Sequence, residues 1–474
     1  MSNVQNLKVV IVGAGQIGLS AALGAQRGNF STNMTVFDIN SDHIRQWEAR
    51  ASTFGVSETL RGTSDTGAFE SALRQADFVL LATPVDAFAG VTKQIAPHLK
   101  EDAILTDVGS VKEPFVSQIA AALKEAGRTD VHFWWSHPGT GSAISGPQGA
   151  KEYMFRNASV FVEDGDMSNP HFQTLLRFWT CQGARIEQTN SHQHDRVFGF
   201  TSHLTHLLAF SLMSHGRNES GQLLESFRQA GTTLCNATRI ATASDKMWVP
   251  ILMGNRQVIE QAAELFCQKM ESLLGSIQNG KGPVCERELA FAQEFRLTLA
   301  EKDRSGVSPL FREGVRGDIE DLLERNANDL TACEVLTLLR EAGKDEAFTR
   351  TVLVPFLIAV ADIHVNAEKD KELSMDLART ANPSILDLTA PALNDPVFMA
   401  SLLGAHRDSV LSHARAFLGQ VRRVVEGIRR GDEASLTSLI TTGREHRLAM
   451  PLPRRLENAT AHDRGVRVQF VIGG

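Results

Sequence analysis

Short apolar runs alternate with amphipathic stretches through the first 190 residues or so, and longer helix-like segments follow. Residues 7–12, 34–37, 77–82, 103–106, 131–135 and 158–162 are rich in Val, Ile, Leu, Ala and Phe. They are too short for stable helices and read as buried strands. Good helix formers such as residues 19–25 separate the first few. Strands alternating with helices at this spacing predict an α/β Rossmann domain, a doubly wound and mostly parallel sheet. Beyond residue 190 the apolar positions recur at helical spacing, so one or more all-α domains are expected.

The carboxyl-terminal third repeats part of that helical pattern. Phe198-Gly199-Phe200-Thr201 and Leu207-Leu208-Ala209 match Phe348-Thr349-Arg350-Thr351 and Leu357-Ile358-Ala359, 150 residues later (348 − 198). Asp245, Trp248, Leu252 and Gly254 align with Asp395, Phe398, Leu402 and Gly404. With one residue inserted, Glu294-Phe295-Arg296-Leu297 aligns with Glu445-His446-Arg447-Leu448. A register kept this long predicts a degenerate second copy of the helical domain. The expected organisation is a nucleotide-binding domain at 1–188, a helical domain at 189–300 and a charged helical connector at 301–344. The second copy follows at 345–451, and a polar tail at 452–474.

Gly13-Ala14-Gly15-Gln16-Ile17-Gly18 follows the first strand and opens a helix, the setting that a dinucleotide fingerprint requires. Gly13 permits the turn, Gly15 admits the pyrophosphate and Gly18 allows close packing, with Gln16 and Ile17 beginning the helix. Asp38 ends the second strand, 20 residues after Gly18 (38 − 18). A carboxylate there suits the ribose hydroxyls of NAD and repels the extra phosphate of NADP; a strand-end cap is the plainer reading. Thr83 and Pro84 end another strand on the nicotinamide side.

Two loops carry candidate chemistry. Asp107-Val108-Gly109-Ser110-Val111-Lys112 and Ser136-His137-Pro138-Gly139 both follow strands. Such sheets bind ligands at the carboxyl ends of their strands. A hydroxyl (Ser110) and an imidazole (His137) beside a dinucleotide point to hydride chemistry on a carbinol. His203 and His206 share one face of an apolar helix, as pocket residues or as core histidines satisfied by carbonyls. Arg239 suits a substrate carboxylate, or neutralises Asp245. His192 and His194 read as a solvated turn. A metal site from His194, His203 and His206 lacks a completing carboxylate or cysteine at ligand spacing, so no metal is expected.

Composition narrows the classes. The 474 residues are 42% hydrophobic and 22% charged, enough apolar material for several cores. A net charge of −7 gives no case for nucleic acid or anionic membrane. Cys181, Cys235, Cys267, Cys285 and Cys333 form no CxxC pair, which favours a reducing compartment. No leader is read at the amino terminus and no run is long enough to span a bilayer. A cytoplasmic protein is expected.

Taken together, Gly13–Gly18, 107–112, 136–146, Ser202-His203-Leu204-Thr205-His206, 237–241 and 245–248 resemble the prephenate/arogenate dehydrogenase family over roughly residues 7–300. The resemblance implies NAD-dependent oxidative decarboxylation of a cyclohexadienol, with hydride transfer to NAD and aromatisation of the ring. It implies His137 as general base and Ser110 as the residue that orients the hydroxyl and the imidazole. It also implies Arg239 on a substrate carboxylate, and His203, His206, Ser142 and Trp248 as pocket residues. In the family the helical domain forms an intertwined dimer. Here the second copy has Leu353, Phe356 and Thr389 where the first has His203, His206 and Arg239. It is therefore expected to supply in cis what a partner supplies elsewhere, giving an intrachain pseudo-dimer; the alternative is a homodimer. Gly139, Ala143 and Asn236 depart from the family pattern around the substrate's side chain. Prephenate, arogenate and 4-amino-4-deoxyprephenate all remain candidates. The alternatives are a dehydrogenase of a different hydroxy acid and a non-catalytic NAD-binding scaffold.

Overall fold

The first valine- and isoleucine-rich run forms β1 (Lys8–Val12), whose last four residues are buried. In the computed structural model it lies inside a six-stranded sheet. The other strands are β2 (Asn33–Phe37), β3 (Leu60–Thr63), β4 (Phe78–Leu81), β5 (Ile104–Asp107) and β6 (His132–Phe133). Their order is β3-β2-β1-β4-β5-β6 and every pairing is parallel. The order reverses between β1 and β4, the switch point where doubly wound sheets open a crevice for ligands. Residues 7–31, 33–55, 60–141, 144–216, 232–302, 355, 357–358 and 396–450 are described.

The crossovers are α1 (Gln16–Arg27), α2 (Ser41–Ser52), α3 (Thr66–Leu73), α4 (Phe88–Ile95) and α5 (Glu113–Glu125). Trp47 of α2 and an edge-to-face and stacked cluster of Phe30, Phe78 and Phe178 fill the core on these faces.

A second sheet was not separated in the sequence pattern. Its strands β7 (Ser136–Pro138), β8 (Ser159–Glu163) and β9 (Arg185–Thr189) lie in the order β7-β8-β9. The 158–162 run therefore leaves the main sheet, pairing antiparallel with β7 and parallel with β9. Ser136–Pro138, expected as a loop, is an edge strand, where a proline costs no ladder bond. The two strands with no apolar run, β3 and β9, are also edges, where polar residues are tolerated. α6 (Pro170–Thr180) connects β8 to β9, and α7 (Ser191–Phe198) follows.

The chain divides into two units: Met1–Gly199 with Ala243–Val258, and Phe200–Thr242 with Ile259–Gly474. The helices from here on are α8 (Leu204–His215), α9 (Thr232–Ala237), α10 (Asp245–Gly254), α11 (Arg256–Gln278) and α12 (Gly282–Lys302). After them come α13 (Pro396–Ala405), α14 (Arg407–Arg430) and α15 (Glu433–Ala449). α10 belongs to the first unit. In the second unit, α8 is buried from Leu204 to Ser214, as a helix apolar on every side must be. α14 and α15 pack against it, and α12 packs on α13. The connector, the tail and repeat positions Leu353, Phe356, Thr389 and Asp395 lie outside the described residues. Among the described residues no helix is long and apolar enough to cross a membrane.

Candidate active site

The glycine turn has the geometry its sequence predicts. Gly13 takes φ +114°, a conformation that side chains resist, and a Cβ there would meet the Ala82 carbonyl. A Cβ at Gly18 would collide with the Gly13 carbonyl oxygen. At Gly15 a Cβ would meet nothing within 4 Å, leaving an open cradle at the start of α1. The first turn of α1 holds no acidic residue to repel a phosphate. Asp38 closes the cradle at the end of β2. Its carboxylate accepts the Ala14 N–H at 3.0 Å and the Asn40 N–H at 2.9 Å, so it is fixed next to the glycine turn. These features fit NAD. Ile17 contributes to the core as well as to the helix start. Substituting Gly18→Ala is expected to weaken NAD binding about 10-fold or more, because the backbone must strain to admit the methyl. A fluorescence titration giving a wild-type Kd would refute that role.

Thr83 and Pro84 follow β4 and lead into a short turn, Val85–Ala87, on which α10 packs. Trp248 of that helix, 6% exposed, belongs to the same unit.

The two chemical loops are cross-braced. Lys112 Nζ stands 2.5 Å from Asp107 Oδ1 and donates to the Ser136 carbonyl at 2.7 Å. The Ser136 hydroxyl donates back to the Asp107 carbonyl at 2.6 Å. Asp107 and Lys112 are fully buried. Burial pushes the carboxyl up and the ammonium down, and their mutual contact opposes both shifts. The brace ties the ends of the Ser110 loop to the residue preceding His137. Ser110 itself is half-buried between them.

His137, 6% exposed, packs against Phe198, with ring centroids 4.4 Å apart. Its Nδ1 is 2.8 Å from His194 Nε2, and His194 Nδ1 is 2.8 Å from Asp195 Oδ1. The Asp195 carboxylate also accepts the backbone N–H groups of Lys112 and Glu113 at the start of α5, each at 2.8 Å. Because Asp195 only accepts, His194 donates from Nδ1 and offers Nε2 as an acceptor. His137 must then donate from Nδ1, which puts its basic lone pair on Nε2. Burial and the Lys112 charge hold His194 far below the usual histidine range, so it stays a neutral acceptor.

His194 corrects the expectation of a solvated turn. It is 1% exposed on α7, and only His192 faces solvent, beside Glu113. Asp195 and Lys112 had no assigned role in the sequence. One signal was available: positions 194 and 198 share a helix face, and their rings stack at 4.5 Å.

The second unit carries His203, His206 and Arg239. His203 closes a π-helical segment, Gly199–His203, and is buried. His206 Nδ1 donates to the Ser202 carbonyl at 2.8 Å, and burial pushes its pKa down to about 3. It is neutral at physiological pH, with Nε2 as its acceptor. Arg239, half-buried, starts a 3-10 turn, Arg239–Thr242. Ser142 lies outside the described residues. Among the described residues no cluster of His, Cys, Asp and Glu could hold a metal.

The model of the family's prephenate dehydrogenase nucleotide-binding domain matches residues 30–188, and that of its dimerization domain matches residues 190–291. The cyclohexadienyl dehydrogenase of Zymomonas mobilis is 27% identical over 293 residues, covering 61% of this chain and 95% of the relative. The prephenate dehydrogenase of Bacillus subtilis is 25% identical over 307 residues, covering 64% of this chain and 78% of the relative. The crystal structure of A. aeolicus prephenate dehydrogenase with hydroxyphenyl propionate and NAD+ aligns with a TM-score of 0.51 at 27% identity. That alignment covers 59% of this chain and 93% of that one. With both halves of the family pattern matched in order and the NAD turn in place, the chain belongs to the prephenate/arogenate dehydrogenase family.

Proposed function

We propose that the chain is an NAD-dependent dehydrogenase that oxidatively decarboxylates a prephenate-like cyclohexadienol: prephenate, arogenate or 4-amino-4-deoxyprephenate. The family membership supports the reaction class. The observation that supports His137 as the base is the line His137–His194–Asp195, whose polarity puts the acceptor lone pair of His137 on Nε2. Nε2 takes the proton of the ring hydroxyl. The resulting imidazolium keeps donating from Nδ1 to His194, whose polarity Asp195 fixes. Ser110, on the braced loop, orients the hydroxyl. NAD, held by the Gly13–Gly18 turn and Asp38, supplies the hydride acceptor when bound. Arg239 binds a substrate carboxylate, while His203, His206, Ser142 and Trp248 line the pocket. A different hydroxy acid or an idle scaffold is not favoured by the family match.

The test is NADH formation with each of the three substrates and either NAD or NADP. Turnover of one with NAD sustains the reading and names the substrate; silence with all three sinks it.

We also propose that the second unit is an internal pseudo-dimer. The starts of α11 and α14, and of α12 and α15, are each 151 residues apart (407 − 256, 433 − 282), the offset of the repeat after its inserted residue. Arg422 pairs with Glu271 across the same 151 residues, so equivalent positions face each other. Arg429–Glu260 and Arg415–Gln278 flank that contact on opposite sides. Self-facing equivalents are what a two-fold axis produces. Light scattering is expected to give the mass of one chain; a tight dimer joined through residues 190–300 would refute the proposal. A reducing, cytoplasmic setting accords with Cys181, Cys267 and Cys285 as thiols, each pushed up to about 11 by burial.

A further inference from the structure

The second helical copy has lost the pocket residues of the first, yet it places one unusual side chain in the first copy's territory. α15 packs on α8 and on the turn Arg239–Thr242. Gly443 allows the close approach: a Cβ there would stand 2.8 Å from the Phe210 carbonyl oxygen. The helix is pinned by His446, whose Nδ1 donates to the Met213 carbonyl at 3.0 Å, and by Arg444, whose Nε donates to the Thr242 carbonyl at 3.2 Å. Arg447 follows His446 on the same helix and reaches toward α9.

Arg447 is 8% exposed. Its Nη2 reaches the Cys235 carbonyl at 3.4 Å, a long contact, and its Nε has no hydrogen-bond partner. No carboxylate among the described residues pairs with it. Burial and the nearby charge of Arg239 both work against its charged form. A guanidinium in this position is costly: a buried cation needs an anion, and a second cation makes matters worse. Arg444, one turn earlier, finds a backbone acceptor, so the helix has no general shortage of partners.

We infer that Arg447 is a second carboxylate grip, working beside Arg239 on a substrate that carries two carboxylates. The inference rests on the proposed reading, since a prephenate-like ring bears one carboxylate on the ring and one on the side chain. A dianion opposes the repulsion between the two guanidiniums and supplies the counter-charge that Arg447 lacks among the described residues. The fork geometry of arginine suits that task better than lysine. The second copy would then complete the first copy's site instead of merely covering it. Arg447 aligns with Arg296 of the first copy, so the position is an inherited one in the repeat.

The test uses the full-length protein and the substitutions Arg447→Met and Arg447→Lys. In R447M, KM for prephenate is expected to rise about 30-fold or more, with kcat and KM for NAD changed by less than about threefold, as loss of uniform binding requires. R447K is expected to recover part of the loss. Without ligand, R447M is expected to melt at the wild-type temperature or above it, because an uncompensated buried charge has been removed. A packing residue would behave in the opposite way, with a lower Tm and an unchanged KM, and that result overturns the inference. Binding is read separately by the thermal shift that prephenate induces, which requires no turnover. A shift in wild type that vanishes in R447M sustains the grip even if the proposed reaction fails. Equal shifts in both proteins, or none in wild type, overturn it. Should R447M not fold, R447K with a wild-type prephenate shift and KM overturns it, and R447K with both weakened sustains it.

Discussion

His137→Asn is expected to lower kcat about 1000-fold while leaving NAD binding intact. An asparagine amide can still donate to His194 Nε2, 2.8 Å from the histidine Nδ1 it replaces, so the buried line to Asp195 persists. What disappears is Nε2, the one nitrogen that the hydrogen-bond pattern leaves basic. General bases of this kind contribute about 10²–10⁴-fold. His194 is buried and held neutral, and its two nitrogens are engaged by His137 and Asp195. Single-turnover kinetics with saturating NAD would measure the effect. A variant within about threefold of wild type would show that His137 is not the base.

The second large effect concerns the brace beneath the loops. Lys112→Met is expected to cost about 3–5 kcal/mol of stability, because it strands Asp107 in the core. Among the described residues Asp107 would keep only the Gly109 N–H on Oδ1, and its Oδ2 already has no hydrogen-bond partner. Adding Asp107→Asn should restore much of the loss, since a neutral amide is cheaper to bury than a lone carboxylate. The pH dependence follows from the same group. Burial raises the Asp107 carboxyl in the folded state, and without Lys112 nothing comparable opposes it. The native variant then holds a proton that the unfolded chain releases near the ordinary carboxylate pKa of about 3.9. Its stability is therefore greatest below that value and falls as pH rises through the folded pKa. Urea midpoints at pH 4 and pH 7 would show the deficit of K112M against wild type growing with pH. A deficit constant across that range would mean that Asp107 is not the stranded charge.

Much of the first unit is legible in the sequence. The NAD turn could be read because its requirements are local: Gly13 and Gly18 are dictated by neighbours a few residues away or on the adjacent strand, and Asp38 by the end of β2. Ser110 and His137 were legible because they follow apolar strands whose ends are where ligands bind. The edge strands β3 and β9 were missed, since strands paired on one side need no continuous apolar run. Ser136–Pro138 reads as a loop in the sequence because its pairing with Val160–Val162 is decided about 24 residues further along the chain (160 − 136).

The sequence by itself determined the class of fold and the cofactor turn and marked His137 as a candidate, because each depends on a residue type at a fixed offset from a strand or glycine. Only the tertiary structure decided which nitrogen of His137 is basic, since that depends on His194 and Asp195, 57 residues away or more. It also turned His194 from a surface residue into a buried acceptor, and Lys112 from a motif letter into the brace between two loops. Arg447 is the clearest case. In the sequence it is one arginine of a polar helix; in the fold it is a buried charge beside Arg239 with no counter-ion among the described residues. Hydrophobic periodicity records which face of a helix is covered, but not what covers it. The electrostatic character of a buried group is set by partners that the chain brings together from a distance.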